Sequence, residues 1–152
     1  MNEGFRELKW TCPLCSLWDN MSRLFCIDIY DKIERQKERD FMQEIQKILD
    51  SYTEEIKKIY GTHLHKILLY GSYARGEETG SSDIDIMILV DLDEISIKNY
   101  IDLLNDVTFD MNLNYDIMLM PIVKNKEHFE KWISFYPFYR NVSQEGVALY
   151  AA

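Results

Sequence analysis

Apolar residues recur along this chain with two spacings, and each spacing predicts one kind of secondary structure. Between Phe41 and Ile59 they recur every three or four residues, which is typical of the buried face of an amphipathic helix. Gly61 follows this stripe, and glycine often ends a helix. A second helical stripe runs from Ile95 to Val107. The two stripes consist of Phe41, Ile45, Ile48, Leu49, Tyr52, Ile56 and Ile59, and of Ile95, Tyr100, Ile101, Leu104 and Val107.

Short continuous apolar runs predict buried strands. They cover Ile67–Tyr70, Ile84–Val90 and Tyr115–Met120, and the third run is followed by Pro121, which we expect to end its strand. The acidic segment 91–94 precedes the second helical stripe, and its carboxylates suit the positive end of a helix dipole. Another charged run, Asp31–Asp40, predicts a solvated helix face or a linker.

The polar segment between the first two strands carries the candidate chemistry. Gly71 and Ser72 stand where a strand gives way to a helix, so backbone N–H groups and a hydroxyl are available to an anion such as a phosphate. Arg75, one turn later, adds a fixed positive charge. Gly76, Gly80, Ser81 and Ser82 fit turn and loop positions.

Carboxylates form the second part of the candidate site. Asp83 and Asp85 are two residues apart, so a strand would project both to one side, where two like charges invite a divalent cation. Asp116 interrupts the third apolar run. Because a lone carboxylate in a buried strand is costly unless it is paired or bound to metal, we expect Asp116 to be the third member of the site. The alternative is a surface aspartate at a strand end.

The net charge of −9 and the pI near 4.8 bear on the partners of this protein. Such a charge repels a phosphate backbone and disfavours free DNA or RNA as the main substrate. A basic protein partner, or a small nucleotide whose charge is neutralised by cations, fits better.

Length and cysteine content predict one cytoplasmic domain. A chain of 152 residues suits a single domain, no apolar run approaches the ~20 residues of a membrane span, and the first residues lack the apolar core of a signal peptide. The three cysteines, Cys12, Cys15 and Cys26, are an odd number without an export signal, which favours reduced thiols. A metal or redox role for the Cys12-x-x-Cys15 pair is weaker than the alternative of incidental cysteines, because zinc needs four ligands.

The C-terminal part of the chain is rich in aromatic residues. They either pack the small domain or form a surface for a partner. The residues concerned are Phe129, Trp132, Phe135, Tyr136, Phe138 and Tyr139.

The motif residues resemble a known superfamily. Gly71-Ser72, ten intervening residues and Asp83-x-Asp85 resemble the signature of the polymerase-β-type nucleotidyltransferases. The variant Gly-Ser-Tyr-Ala-Arg-Gly followed by Ser-Asp-Ile-Asp is similar to the minimal nucleotidyltransferases, the MntA-like partners of HEPN toxins. The resemblance covers roughly residues 42–150. It implies an α/β domain with a mixed β-sheet flanked by helices at residues 41–152, preceded by an N-terminal extension of uncertain role at residues 1–40.

The resemblance also implies roles for the candidate residues. The reaction would transfer a nucleoside monophosphate from a nucleoside triphosphate to a hydroxyl, with two Mg²⁺ ions. Asp83 and Asp85 would bridge both ions, and Asp116 would hold the ion at the acceptor and help to deprotonate it. Gly71 and Ser72 would hold the β- and γ-phosphates of ATP, with Arg75 as a helper.

Three functional hypotheses follow from the resemblance. In the first, the protein is an antitoxin enzyme that transfers AMP from ATP to a tyrosine hydroxyl of a HEPN ribonuclease toxin. In the second, it is an antitoxin that acts by binding alone. In the third, it modifies a small molecule such as an aminoglycoside, for which an added acceptor-binding domain would be expected. The intact Gly71-Ser72 pair and all three aspartates favour the first hypothesis.

Overall fold

The computed structural model describes residues 20–79 and 82–152, with side-chain environments from residue 29 onward. The chain divides into two compact units between Ile45 and Gln46, and all four strands belong to the second unit. Cys12 and Cys15 lie outside the described residues, as does the side chain of Cys26. The elements in chain order are α1 (Asn20–Tyr60), a 3₁₀ turn (Gly61–His63), β1 (Leu64–Tyr70), α2 (Ser72–Arg75), β2 (Ile84–Val90), α3 (Glu94–Tyr115), β3 (Leu119–Asn125), α4 (Lys126–Trp132), α5 (Pro137–Glu145) and β4 (Val147–Ala151).

The described part of the first unit belongs to α1 and is mostly solvent-exposed. The charged run Asp31–Asp40 is helical and bonds largely to itself, as in the contact of Gln36 Nε2 with Asp40 Oδ1 at 2.7 Å. Phe41 was expected to begin the buried stripe, but this prediction is wrong, because its side chain is exposed and sustained burial begins at Ile45. The division into an extension at 1–40 and a domain at 41–152 stays a prediction.

Within the second unit, the predicted apolar stripe of α1 is buried except at Ile59, which is partly exposed. The helix ends at Tyr60, just before Gly61. The buried hydroxyl of Tyr52 on this face lies 2.6 Å from Thr108 Oγ1 on α3. Since Thr108 Oγ1 donates to Leu104 O, Tyr52 is the donor to Thr108. Burial raises the pKa of Tyr52 to about 12, so the neutral donor form is maintained.

The sheet is mixed, which confirms the predicted fold class. Its strand order is β3-β2-β1-β4, with β1 antiparallel to both β2 and β4, and β2 parallel to β3. β2 matches its predicted bounds, and every residue in it except Asp85 is buried. A strand covered on both faces reads as a continuous apolar run, which is why its limits could be predicted.

The central strand β2 is covered on both faces except at Asp85. Met87 and Leu89 of β2 pack in a cluster with Phe129, Tyr139 and Val142 from α4 and α5. The interpretation of the C-terminal aromatic residues as packing is therefore confirmed for Phe129 and Tyr139. Others of that group remain exposed, namely Phe135, Tyr136 and Phe138.

The predicted end of α3 and the bounds of the third strand were wrong. The helix continues to Tyr115, and β3 begins only at Leu119. Pro121 lies inside β3 rather than after it, which is possible because β3 is an edge strand and proline has no N–H to leave unpaired. The buried face of α3 also differs from the predicted stripe: Ile95 and Ile101 are exposed, whereas the buried positions are Ile97, Leu104, Thr108 and Met111.

The acidic segment before α3 behaves as expected. Asp93 caps the helix, and its Oδ1 accepts hydrogen bonds from the N–H groups of Ile95 and Ser96 at 2.9 and 2.7 Å. Across residues 20–79 and 82–152, no helix combines the length and apolar character that crossing a membrane requires.

Two tyrosines on the same face of α1 provide a matched test of the core. Tyr52→Phe is expected to lower the free energy of unfolding by about 1 kcal/mol, because Thr108 loses its buried donor. Tyr60→Phe is expected to be neutral or stabilising, because the buried Tyr60 hydroxyl has no hydrogen-bond partner within the described residues. Urea denaturation of both variants measures the difference. Equal losses would contradict the assigned Tyr52–Thr108 bond.

Candidate functional site

The turn between β1 and α2 has the geometry predicted for the phosphate-binding segment. Gly71 follows the last residue of β1 and adopts φ 76° and ψ −150°, a conformation that favours glycine. Ser72 starts α2, a single helical turn that ends at Arg75 and is capped by Gly76, whose N–H donates to Ser72 O. The predicted position of Gly71 and Ser72 between a strand and a helix is confirmed, whereas their role toward phosphate stays a prediction.

Gly71 is also in close contact with the carboxylate of Asp85. A Cβ atom at Gly71 would overlap Asp85 Oδ2 and lie 3.2 Å from Asp85 Cγ. The contact arises because Tyr70 pairs with Asp85 across the antiparallel strands β1 and β2. Any side chain at position 71 would therefore displace the carboxylate, so the turn and the acidic residue are directly adjacent.

The two carboxylates of the Asp83-x-Asp85 motif are electrostatically coupled. Burial raises the pKa of Asp85, and repulsion by Asp83 raises it further, while Arg75 lowers it. Asp83 lies just before β2 and is exposed, whereas Asp85 lies within β2 and is partly buried. The two carboxylates thus bring together negative charge that a cation would neutralise.

Arg75 is close to this site but is engaged by two other carboxylates. Its Nε donates to Glu77 Oε2 at 2.7 Å, and its Nη1 lies 3.5 Å from Glu145 Oε2 at the end of α5. The side chains of Arg75 and both glutamates are about half exposed or more, so these ion pairs are weak and exchangeable. Arg75 can turn toward a phosphate by giving up these contacts.

Asp116 does not lie where the sequence predicted it. It is the C-cap of α3, with φ 52° and ψ 47°, and it is exposed rather than part of a buried strand. Aspartate tolerates this left-handed conformation better than most residues. The expectation that Asp116 enters a strand was wrong because α3 extends to Tyr115 and β3 starts three residues after Asp116.

The topology nevertheless brings Asp116 to the same edge of the sheet as the acidic pair. β2 and β3 are parallel, and the N–H of Ile84 donates to Met118 O at 2.8 Å, so both strands begin together. In the part of the chain that the structure describes, no three His, Cys, Asp or Glu side chains form a group that could hold a metal. The role of Asp116 as a third ligand therefore stays a prediction.

The donor set fits magnesium bound together with a nucleotide. Mg²⁺ prefers hard oxygen ligands and is commonly held by one or two carboxylates plus substrate phosphates. Asp83 and Asp85 could supply the carboxylates, and the backbone N–H groups of the Gly71-Ser72 turn beside Asp85 could bind phosphate oxygens. We expect these residues to hold the metal only when the nucleotide completes its coordination.

Two residues near the site were missed by sequence reasoning. Tyr70 is the cross-strand partner of Asp85, and its ring lies edge-on to that of Phe138, with the centroids 5.6 Å apart. Burial raises the pKa of Tyr70 to about 12, with a further contribution from Asp85. Glu145 contacts Arg75 from 70 positions along the chain. The apolar run before Gly71 indicated a strand at Tyr70, but no local pattern indicates either contact.

Comparisons with known proteins identify relatives of this chain. The family profile described as "Polymerase beta, Nucleotidyltransferase" matches residues 43–134. A protein of Methanocaldococcus jannaschii named "Putative protein adenylyltransferase" is 37% identical over 105 residues, which are 69% of this chain and 97% of that protein. "Protein adenylyltransferase MntA" of Thermococcus cleftensis is 33% identical over 85 residues, or 55% of this chain and 82% of that protein.

Among solved structures, a nucleotidyltransferase described as putative, from Sulfolobus solfataricus, aligns with a TM-score of 0.47 at 16% identity. The alignment covers 71% of this chain and 81% of that one. The family profile and the relatives confirm the resemblance that the Gly-Ser and Asp-x-Asp motifs indicate.

The raised pKa of Asp85 predicts that this carboxylate destabilises the ligand-free fold. A carboxyl group whose pKa is raised on folding lowers stability once it is ionised in both states. Asp85→Asn is therefore expected to raise the thermal midpoint at pH 7. This gain in thermal midpoint over wild type should shrink as the pH falls through the raised pKa of Asp85 toward 3.8, the ordinary pKa of an aspartate. In that range the wild-type carboxyl binds a proton in the folded state and loses its charge.

Thermal unfolding from pH 7 down to pH 4 measures this effect. Asp102→Asn replaces an exposed carboxylate on α3 and is the matched control, for which little change is expected. An Asp85→Asn variant that is less stable than wild type at pH 7 would contradict the repulsive environment assigned to Asp85.

If Asp83 and Asp85 bind a metal, Mg²⁺ together with ATP should change the thermal stability. Mg²⁺ with ATP should raise the thermal midpoint of the wild type, because a ligand that binds only the folded state stabilises it by mass action. The double variant Asp83→Asn, Asp85→Asn should remain folded and lose this shift. If the double variant keeps the full magnesium-dependent shift, the assignment of the two carboxylates as ligands is wrong.

Proposed function

The chain belongs to the polymerase beta nucleotidyltransferase family, and on that basis we propose that it transfers AMP from ATP to a tyrosine hydroxyl of a HEPN-family ribonuclease toxin. The modification would neutralise the toxin. The observation that carries the proposal is the packing of the Gly71 turn against the carboxylate of Asp85. This contact supports the proposal because the turn that would bind phosphate and the carboxylate pair that would bind the cation are adjacent.

The choice of a protein as the acceptor rests on the relatives and on the charge of the chain. The similar proteins of M. jannaschii and T. cleftensis carry names of protein adenylyltransferases. The tyrosine and the HEPN partner come from the resemblance of the motif to MntA-like proteins. A net charge of −9 favours docking of a basic partner, which would bring its own hydroxyl to the site.

The proposed reaction is one in-line displacement at phosphorus. The tyrosine oxygen attacks the α-phosphorus of ATP and forms a new P–O bond, while the bond from the α-phosphorus to the bridging oxygen breaks. Pyrophosphate leaves with the electron pair of that bond. The hydroxyl proton passes to Asp116, whose exposed side chain lies at the same sheet edge as Asp83.

The residues of the site share the remaining work. Backbone N–H groups at Gly71 and Ser72 hold the β- and γ-phosphates, and Arg75 exchanges its carboxylate partners for a phosphate oxygen. Asp83 and Asp85 would hold Mg²⁺, which would compensate the negative charge of the triphosphate. Catalysis is therefore mainly positioning and electrostatic stabilisation.

A second candidate is an antitoxin that acts by binding alone. The observation that favours it is the exposed position of Asp116, because no three-carboxylate group is formed in the described part of the chain. Under this alternative, the exposed aromatic side chains Phe135, Tyr136 and Phe138 would contact the toxin without any transfer.

One experiment distinguishes the two candidates. The toxin is incubated with this protein, ATP and Mg²⁺, and its intact mass is measured together with its ribonuclease activity. We expect AMP-sized mass increments and loss of ribonuclease activity. Asp83→Ala and Asp116→Ala should reduce the modification rate by at least about 100-fold, as loss of metal ligands or of a general base commonly does.

Asp110→Ala removes an exposed carboxylate elsewhere on α3 and is the control that should retain the modification. A toxin that stays unmodified, and is inhibited equally by wild type and by Asp83→Ala, would reject the transfer reaction and select the binding antitoxin.

A further inference from the structure

The order of the strands places the two sides of the site on different elements. Asp85 lies on β2, between β1 on one side and β3 on the other. The Gly71-Ser72 turn continues from β1, so the phosphate-binding elements lie on the β1 side of the carboxylate. The opposite side of Asp85 is bordered by β3.

The geometry of phosphoryl transfer determines what each side must hold. In an in-line displacement, the attacking oxygen and the leaving group lie on opposite sides of the reacting phosphorus. If the β- and γ-phosphates lie over the β1 side, pyrophosphate leaves in that direction. The acceptor must then approach over β3.

The part of β3 next to Asp85 is apolar and solvent-exposed on this side. Met120 pairs with Asp85, and Ile122 pairs with Met87, so their side chains share the sheet face of Asp85. Met120 is 47% exposed and Ile122 36% exposed, whereas Leu119, which points to the opposite face, is 1% exposed. The pair Met120 and Ile122 is called the acceptor platform below.

We infer that the acceptor platform receives the aromatic ring of the acceptor tyrosine, presented by a segment with basic flanking residues. This inference rests on the proposed function and specifies how its substrate is recognised. A thioether and a branched aliphatic side chain make favourable contacts with an aromatic ring. The net charge of −9 favours positive charges beside the tyrosine.

The platform also explains a preference for a protein acceptor over a sugar. The hydroxyl groups of an aminoglycoside would lose water against Met120 and Ile122 without gaining hydrogen-bond partners there. A tyrosine presents an apolar ring to these side chains and keeps its single hydroxyl for the reacting phosphorus. The apolar surface therefore selects for the class of acceptor.

The test measures acceptor binding without any reaction. The full chain is saturated with Mg²⁺ and an ATP analogue that has a methylene group between the α- and β-phosphorus. A fluorescent peptide with one tyrosine between lysines is then titrated, and its affinity is read from fluorescence anisotropy. The same peptide with alanine in place of tyrosine reports the contribution of the ring.

We expect Met120→Gln to weaken binding of the tyrosine peptide by about tenfold, because the free energy of the lost apolar contact corresponds to roughly a tenfold change in affinity. Ile122→Thr, which keeps a β-branched side chain in the strand, should act in the same direction. Leu113→Gln is the matched control: it alters a side chain that is 67% exposed on α3 and should leave peptide affinity unchanged. All three variants should retain the affinity for the ATP analogue.

Three results would overturn the inference. In the first, the wild type binds the tyrosine and alanine peptides equally well. In the second, wild type and Met120→Gln have the same affinity for the tyrosine peptide. In the third, Met120→Gln loses affinity for the nucleotide instead of for the peptide. Transfer of AMP to the toxin is measured separately. If no AMP is transferred but peptide binding depends on the platform, the proposed function is rejected and the platform is retained. If AMP is transferred and Met120→Gln has no effect on the transfer, the platform is rejected and the proposed function is retained.

Discussion

The contact between the backbone of Gly71 and the carboxylate of Asp85 is the constraint on which the candidate site depends. It exists because Tyr70 and Asp85 are paired across antiparallel strands, which brings the start of α2 against the start of β2. Asp85 is partly buried and lies near Asp83, so its ionisation carries an electrostatic cost. Local destabilisation of this kind is common where a site is prepared for a charged ligand.

The rest of the second unit holds this contact in place. β2 is buried along its length, and the helices that cover it supply packed side chains such as Phe129 and Tyr139. A carboxylate that emerges from a rigid, covered strand is positioned more accurately than one on a loop. Apolar side chains are exposed on the edge strand β3 and at the aromatic residues Phe135, Tyr136 and Phe138.

Sequence patterns were accurate where burial follows from local periodicity. β2 has the predicted bounds, most of the predicted stripe of α1 is buried, and this helix ends before Gly61 as predicted. The patterns were inaccurate for α3, where Ile95 and Ile101 belong to the predicted stripe but face solvent. An apolar residue indicates burial only if the neighbouring element covers that side of the helix, and the covering elements are distant in sequence. The same limitation displaced β3 and removed Asp116 from its expected strand.

The sequence by itself determined the motif residues of the site, because Gly71, Ser72, Asp83 and Asp85 are close along the chain and their spacing reflects a strand, a turn and a second strand. Only the tertiary structure decided what surrounds them. The pairing of Tyr70 with Asp85, the contact of Arg75 with Glu145 and the position of Met120 beside Asp85 all depend on strand register and on segments far apart in the chain. A shift of one residue in strand register moves every side chain of the strand to the opposite face. The local sequence of one strand does not specify its register against another strand.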